Sequence, residues 1–262
     1  MSDRIRTLDG KTALVCGASR GIGRACGVEF AALGARVILV ARSWDALAAA
    51  REKLGAGEHE ILAADFNDPS RLQEAVKRLV ARVGPIHVLL NNTGGPGSGP
   101  IFDAPPDSFL STFTQHVLCN QVLSQAVVPG MKEAGYGRII NIISTSVKQP
   151  IRGLGVSNTV RGAVASWAKT LSVELAPFGI TVNNLLPGAT RTDRLFEIIR
   201  ERARASGRSD QEIETEMIRE IPMGRIGNPE EVAAAAGFLA GPRSSYITGV
   251  SLAVDGGRTS AL

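Results

Sequence analysis

The stretch TALVCGASRGIG, residues 12–23, decides the fold class. A short apolar run is followed at once by Gly17, Gly21 and Gly23, and the next helical pattern begins near Ile22. Glycines at such a turn let backbone N–H groups and the helix N-terminus approach a pyrophosphate. The stretch therefore predicts a dinucleotide-binding strand–turn–helix unit. The alternative is a packing turn that holds no ligand.

Six further apolar runs continue this pattern along the chain: RVILVA, EILAAD, HVLLNN, RIINIIS, ITVNNLLPG and VSLAVDGG. Helical patterns alternate with them at about 21–33, 44–54, 69–83, 107–134, 156–176 and 229–240. Short runs that are apolar on both faces are typical of buried parallel strands. The alternation predicts an α/β fold, a doubly wound, Rossmann-like sheet of seven parallel strands flanked by helices, in one domain over residues 1–262.

One insertion, at about 193–221, interrupts the alternation before the last strand. It contains two short amphipathic patterns, and Ser209 with Glu212 forms a capping box at the start of the second. Ligands of open α/β sheets bind beyond the carboxyl ends of the strands, where this insertion begins. We therefore expect a small helical lid over a substrate.

The composition is typical of soluble globular domains, with 44% apolar and 21% charged residues. The polar start MSDRIRTLDGK has no apolar run after it, and no later segment is apolar enough to span a membrane. Cys16, Cys26 and Cys119 are odd in number and irregularly spaced, which favours reduced thiols over disulfides or a zinc site. We predict a cytoplasmic protein that binds neither membrane nor metal.

The net charge of +4 comes from Lys and Arg residues spread along the chain, rarely beside aromatic residues. The densest group, RERARASGR at 200–208, is typical of a solvated helix face. The sequence therefore disfavours a nucleic-acid partner, and anionic small molecules remain possible partners.

Four motifs carry a family resemblance: CGASRGIG at 16–23, NNTG at 91–94, LLPGATRT at 185–192 and SSYITGVSLAVDGG at 244–257. Through them nearly the whole chain resembles the classical short-chain dehydrogenases/reductases, most closely the 3-oxoacyl-carrier-protein reductases. The resemblance implies hydride transfer between a nicotinamide cofactor and a small carbonyl or alcohol substrate. It also implies a homotetramer paired through the helices at 107–134 and 156–176 and through the last strand.

The resemblance also assigns cofactor contacts. Asp65 would contact the adenine, Asn91 and Gly94 the wall beside the adenosine ribose, and Pro187 and Thr192 the nicotinamide. Asp65 could instead close a turn, and Thr192 could cap the next helix. The candidate cofactor-binding residues are Gly17, Ser19, Arg20, Gly21, Ile22, Gly23, Arg42, Asp65, Phe66, Asn91, Thr93, Gly94, Arg161, Pro187, Gly188 and Thr192.

The end of the second strand discriminates between the two nicotinamide cofactors. A carboxylate there would accept hydrogen bonds from the ribose 2′-OH, whereas Arg would pair with a 2′-phosphate. Ala41 occupies the expected acidic position, Arg42 follows it, and Arg20 adds a second cation. The sequence favours NADP over NAD, unless Arg42 is only a solvated surface cation.

The catalytic positions depart from the family pattern. In the family, Tyr donates the proton, Lys four residues later lowers the pKa of that Tyr, Ser orients the substrate oxygen and Asn supports a proton-relay water. Ser144 matches the family's Ser, but Ser157 and Arg161 stand at the Tyr and Lys positions, and His116 stands at the Asn position. Three of the four catalytic types are therefore replaced.

The replacements leave two functions open. Ser157 is a far weaker acid than Tyr, and Arg161 stays protonated, although it could bind ribose hydroxyls or polarise a carbonyl. His116 could transfer a proton, or it could be a helix histidine satisfied by packing and a backbone carbonyl. The protein is then either an NADP-dependent oxidoreductase with a non-standard site or an NADP-binding sensor or partner subunit without turnover.

Overall fold

The computed structural model describes residues 6–261, and its centre is a seven-stranded parallel sheet with the order β3-β2-β1-β4-β5-β6-β7. The strands are β1 (Thr12–Cys16), β2 (Arg36–Ala41), β3 (Glu60–Ala63), β4 (Val88–Asn91), β5 (Gly137–Ile142), β6 (Ile180–Pro187) and β7 (Ser251–Val254). The predicted doubly wound fold is confirmed. The strand order reverses between β1 and β4, and ligands of this fold class bind at that switch point.

The helices follow the local signals of the sequence. They are α1 (Gly21–Ala32), α2 (Trp44–Arg51), α3 (Pro69–Val83), α4 (Pro106–Phe113), α5 (Cys119–Glu133), α6 (Gly155–Leu175), α7 (Asp193–Ser206), α8 (Asp210–Arg219) and α9 (Pro229–Ala240). Pro69 starts α3, and the Asp68 side chain caps it by accepting a 3.0 Å hydrogen bond from the Arg71 N–H. No helix within residues 6–261 is long and apolar enough to cross a membrane. The predicted absence of an N-terminal signal rests partly on residues 1–5, which lie outside the described residues.

The continuous helix predicted at 107–134 is wrong in one respect. A π-helical turn, Thr114–Leu118, separates α4 from α5. The turn covers only five residues, which is too short a stretch for the apolar pattern of the sequence to distinguish a π-helical turn from an α-helical one. The turn matters because it contains His116.

The core lies on both faces of the sheet because successive strand residues point to opposite sides. Ala13 and Val15 of β1 pack in the cluster with α1, α2 and α9, whereas Leu14 and Cys16 pack in the cluster with α3 and α5. Cys26 and Cys119 are also buried and free, and burial raises the pKa of all three thiols. Helices therefore cover both faces and leave the carboxyl edge of the strands for a site.

The insertion at 193–221 forms the predicted pair of helices, α7 and α8. Their apolar faces pack together through a cluster that includes Leu195, Ile199 and Met217. The capping box is present, since Ser209 Oγ accepts a 3.3 Å bond from the Glu212 N–H and Glu212 Oε2 accepts a 2.8 Å bond from the Ser209 N–H. We call α7 and α8 the lid.

Candidate functional site

A cavity of about 840 Å³ lies at the carboxyl edge of the sheet. Its wall follows the ends of six strands, from the glycine loop after β1 to the segment after β6, and the lid completes it. The sequence of β-strands and short loops brings these distant segments to one edge, as expected for a doubly wound sheet.

The glycine loop is shaped by close backbone packing. Gly17 and Gly21 have φ angles of +59° and +56°, in the left-handed region that favours glycine. A Cβ on Gly17 would lie 2.5 Å from the Asn92 carbonyl oxygen, and one on Gly23 would lie 2.3 Å from the Gly17 carbonyl oxygen. Asn92 Nδ2 donates to the Gly17 carbonyl oxygen at 3.2 Å. Glycine is therefore required by the fold of the loop itself.

The N-terminus of α1 is suited to an anion. Its first turn has no acidic residue, and the residue before it, Arg20, makes no side-chain capping bond. The free N–H groups and the helix dipole then favour negative charge at this point, which faces the cavity through Gly21 and Ile22. The loop and helix therefore fit the pyrophosphate of a dinucleotide.

Asp65 and Thr192 make the structural contacts that the sequence offered as alternatives to cofactor binding. Asp65 Oδ1 closes a turn by accepting bonds from the Asn67 N–H at 3.0 Å and Asn67 Nδ2 at 2.9 Å. Thr192 caps α7 by accepting a 3.4 Å bond from the Leu195 N–H. Both residues also line the cavity. Their structural roles hold them at the cavity wall.

Arg20 and Arg42 both line the cavity beside Ala41. They differ in whether a carboxylate lies close to the guanidinium group. Arg20 Nη1 lies 3.2 Å from Asp193 Oδ2, and Arg20 Nη2 lies 4.0 Å from Glu197 Oε1. Arg42 is exposed and makes no ion pair among residues 6–261. Arg42 therefore carries the uncompensated positive charge at this end of the cavity.

Two predicted cofactor contacts need correction. Asn91 is buried inside the sheet, where its Nδ2 donates to Asn141 Oδ1 at 2.9 Å, and it does not line the cavity. Its neighbour Asn92 lines the cavity instead and holds the glycine loop. Gly23 packs against Gly17 behind the loop and does not line the cavity either. The other predicted cofactor-binding residues all lie on the cavity wall.

Ser144, Ser157 and Arg161 lie together at the other end of the cavity. Arg161 and Ser157 are one turn apart on α6, and Arg161 Nε donates to Ser157 Oγ at 3.1 Å. Arg161 Nη1 donates to the carbonyl oxygens of Ile142 and Ile143 at 3.2 and 2.8 Å. Burial, and then the nearby Arg194, lower the pKa of Arg161 to about 10. Arg161 is therefore a cation at neutral pH, held against the end of β5.

His116 does not line the cavity. Of the two alternatives that the sequence left open, its surroundings favour a helix histidine satisfied by packing and a backbone carbonyl over proton transfer to a substrate. It is 4% exposed behind Thr93 and Gly94. Its Nε2 lies 3.1 Å from the Gly94 carbonyl oxygen and must donate, so its Nδ1 accepts from Thr93 Oγ1 at 2.9 Å. Burial, and then Arg161, lower the pKa of His116 to about 3. The neutral imidazole braces the loop at 93–94.

The two tyrosines of the chain also lie away from the cavity. Tyr136 OH donates to the Ala240 carbonyl oxygen at 2.6 Å, and Tyr246 is fully exposed. Among the described residues, the cavity wall contains no Tyr, Lys or His. Neither tyrosine of the chain therefore reaches the cavity.

Sequence reasoning missed Arg194 in the first turn of α7. This residue lines the cavity, and its Nη2 donates to the Pro96 carbonyl oxygen. Its Nη1 lies 3.5 Å from Glu197 Oε2. The available signal was its position two residues after Thr192, at the start of the predicted lid.

Comparisons with known proteins agree with this geometry. A family model described as enoyl-(acyl carrier protein) reductase matches residues 17–259. The NADPH-dependent reductase BacG of Bacillus subtilis is 32% identical, over 94% of this chain and 97% of its own length. The 3-oxoacyl-[acyl-carrier-protein] reductase FabG of Vibrio cholerae is 32% identical, over 95% of this chain and 98% of its own length.

Solved structures give the same result. YwfH, an NADPH-dependent reductase involved in bacilysin biosynthesis, superimposes with a TM-score of 0.91 at 30% identity, over 96% of this chain and 99% of its own. The L-sorbose reductase of Gluconobacter frateurii, solved with NADPH and L-sorbose, has a TM-score of 0.91 at 29% identity, over 99% of this chain and 100% of its own.

The fold and the glycine loop define a dinucleotide-binding α/β protein whose site lies at the carboxyl edge of its sheet. The chain belongs to the classical short-chain dehydrogenase/reductase family of oxidoreductases, close to the 3-oxoacyl-carrier-protein reductases.

Proposed function

We propose that the protein is an NADP(H)-dependent oxidoreductase that exchanges a hydride with a carbonyl or alcohol substrate through a non-standard site. The observation that carries this proposal is the continuity of the cavity. One cavity joins the glycine loop and Arg42 to Ser144, Ser157 and Arg161, so that a bound dinucleotide and a small substrate can share it. The family membership of the chain supports the same reaction class.

The preference for NADP(H) rests on Arg42 and Ala41. Arg42 has no carboxylate partner among the described residues, and Ala41 supplies no carboxylate to hold a ribose 2′-OH. A guanidinium pairs well with a 2′-phosphate. The relatives named as NADPH-dependent, or solved with NADPH, support this choice.

Ser144 and Arg161 would activate the substrate by polarising its carbonyl group. NADPH supplies the hydride when it is bound. Ser144 Oγ would donate a hydrogen bond to the carbonyl oxygen, and the cation of Arg161 would stabilise the negative charge that develops there. A fixed cation can replace part of the effect of a proton donor in this way. The final proton would come from solvent, because the cavity wall contains no Tyr, Lys or His among the described residues.

The second candidate is an NADP-binding protein without turnover, acting as a sensor or partner subunit. The observation that favours it is the cavity wall without Tyr, Lys or His among the described residues. This candidate shares the cofactor prediction with the first, and only the rate of hydride transfer separates them.

Titration of the protein with NADPH and NADH, followed by nicotinamide fluorescence, tests the cofactor assignment. We expect NADPH to bind more tightly, because its 2′-phosphate pairs with Arg42. Equal or reversed affinities would contradict the assignment. NADPH consumption with carbonyl substrates then separates the oxidoreductase from the protein without turnover.

We also propose that the protein is a cytoplasmic homo-oligomer, most simply a tetramer. Val250 and Leu252, beside and within the edge strand β7, are 38% and 40% exposed, and pairing through this edge would bury them. Light scattering should show a species larger than the 27.6 kDa chain. A stable monomer at micromolar concentration would contradict the proposal.

A further inference from the structure

Arg161 is a cation that makes no ion pair with a carboxylate among residues 6–261. Its hydrogen bonds within the described chain come from Nε and Nη1 and go to a hydroxyl and two carbonyl oxygens. None goes to a carboxylate, although a partly buried cation is normally paired. Its third nitrogen, Nη2, points toward Gly95, since a Cβ built on Gly95 would lie 3.7 Å from it.

Arg194 approaches the same point from the lid. The same Cβ position on Gly95 lies 3.6 Å from Arg194 Nε and 3.8 Å from Arg194 Nη2. Two guanidinium groups therefore converge on one small space, which Gly95 leaves open by having no side chain. Glu197, 3.5 Å from Arg194 Nη1, balances one of the two charges, and the other has no balancing carboxylate.

Two converging cations repel each other, and Arg194 is one of the two causes that lower the pKa of Arg161. An anion between them would remove this repulsion and pair with both groups. A carboxylate placed there could accept hydrogen bonds from Arg161 Nη2, which makes none within the described chain, and from Arg194 Nε and Nη2, which face the same point as a fork. Arg161 borders this space from α6, where it lies one turn from Ser157, and Arg194 borders it from the start of α7, which pairs with Arg20 of the glycine loop through Asp193.

We propose that the substrate of this site is an oxo acid or hydroxy acid, whose carboxylate binds between Arg161 and Arg194 beside Gly95. The reaction of such a substrate rests on the proposed function, but its binding rests on the arginine pair alone. Arg194 is then a specificity-determining residue, and the lid carries it to the substrate.

The test measures binding by calorimetry to protein saturated with NADP⁺, so that no oxo substrate can be reduced. The probes are acetoacetate and 2-oxobutanoate, each compared with its methyl ester, which keeps the carbonyl and loses the charge. We expect each acid to bind roughly 10- to 100-fold more tightly than its ester, as for charge-assisted pairs.

Three variants test which residues cause the preference for the acid over its ester. Arg194→Gln should reduce the preference for the acid about tenfold or more, because one charged partner is lost. Gly95→Ala keeps both charges and occupies the space between them, so it should also reduce the preference. Arg200→Gln is the matched control, because Arg200 is an exposed residue of α7 that does not line the cavity, and it should keep the preference.

The proposal is overturned if the esters bind as tightly as the acids, or if Arg200→Gln lowers the preference as much as Arg194→Gln. It is also overturned if Arg194→Gln weakens NADPH binding and leaves the acid preference intact, since Arg194 would then serve the cofactor. If NADPH does not bind at all, the proposed function fails. The melting temperature of the cofactor-free protein with acid or ester then decides the carboxylate proposal separately.

Discussion

The two ends of the cavity differ in what their structure depends on. At the nucleotide end, Gly17 and Gly23 are fixed by backbone contacts that leave no room for a Cβ, and Asn92 ties the loop to β4. At the catalytic end, Ser157 and Arg161 line the cavity from α6, whose buried residues, such as Val156, Val160 and Val164, pack in the core. We therefore expect substitutions at the first end to disturb the fold more than substitutions at the second.

This difference explains how cofactor binding and proton transfer can separate in one chain. Val156, Val160 and Val164 hold α6 in the core, and none of them depends on the residues at 157 and 161. Helix α6 can therefore keep its place while its catalytic side chains are replaced. The comparison predicts a protein that binds its cofactor normally and transfers protons poorly.

The largest expected effect comes from rebuilding the catalytic end. The double variant Ser157→Tyr with Arg161→Lys places a proton donor and a cation one turn apart on α6. General acid help is worth about 10² to 10⁴ in rate, so ketone reduction should rise by a factor in that range. Steady-state NADPH consumption with ethyl acetoacetate measures it.

The control for this variant is Ser157→Phe with Arg161→Lys, which has the same ring without the hydroxyl. It should show none of the gain. If both variants gain equally, the missing proton donor does not limit the reaction, and the comparison between the two ends fails.

A smaller effect is expected at the nucleotide end. Arg42→Asp replaces the unpaired cation by a carboxylate, which repels a 2′-phosphate and can accept bonds from a 2′-OH. We expect the affinity ratio of NADPH to NADH to fall roughly 10- to 100-fold. Fluorescence titration of both cofactors checks it.

Arg243→Asp provides the matching control, because Arg243 is exposed and lies outside the cavity wall. It changes the net charge equally and should leave the ratio near that of the unmodified protein. An equal fall in both variants would mean that overall charge, rather than a contact at Arg42, sets the preference.

The smallest expected effect is the contribution of His116 to the pH dependence of the free energy of unfolding. His116 lies behind the loop at 93–94, between the two ends of the cavity. Its pKa of about 3 in the folded protein lies below its ordinary value of 6.5, so the unfolded chain binds the proton more readily. The stabilisation by neutral His116 is complete above pH 6.5 and is lost as the pH falls toward 3. The loss approaches about 1.4 kcal/mol per pH unit in that range.

Urea unfolding at pH 7 and pH 5 measures this dependence, and His116→Asn removes the titrating group at that position. His59 and His87 also have lowered pKa values through burial and still contribute to the pH dependence of the variant. The free energy of unfolding should therefore fall less with pH in His116→Asn than in the unmodified protein. Equal slopes would show that His116 is not held neutral.

The sequence was sufficient for the fold and for most of the cavity wall. Apolar runs and the glycine spacing locate strands and the loop because buried parallel strands and tight turns admit few residue types. The sequence could not separate Asn91 from Asn92, because neighbouring strand-end residues point in different directions and either would satisfy the motif.

Two other features were also beyond the sequence. His116 belongs to a π-helical turn of five residues and lies behind the cavity wall rather than on it, and so short a turn leaves no signal in the apolar pattern. Arg194 is joined to Arg161 only through a tertiary contact at Gly95, between segments far apart in the chain. Local patterns carry no information about such a meeting of lid and helix.

The most direct test of the central claim is a single-turnover measurement. Protein pre-bound to NADPH is mixed with saturating ethyl acetoacetate, and loss of nicotinamide fluorescence reports hydride transfer from the bound cofactor. The account predicts that NADPH is fully bound and that its oxidation is roughly 10² or more slower than in the Ser157→Tyr, Arg161→Lys variant. If the unmodified protein oxidises NADPH as fast as that variant, and Arg161→Ala leaves the rate unchanged, the proposed effect of the missing proton donor is wrong.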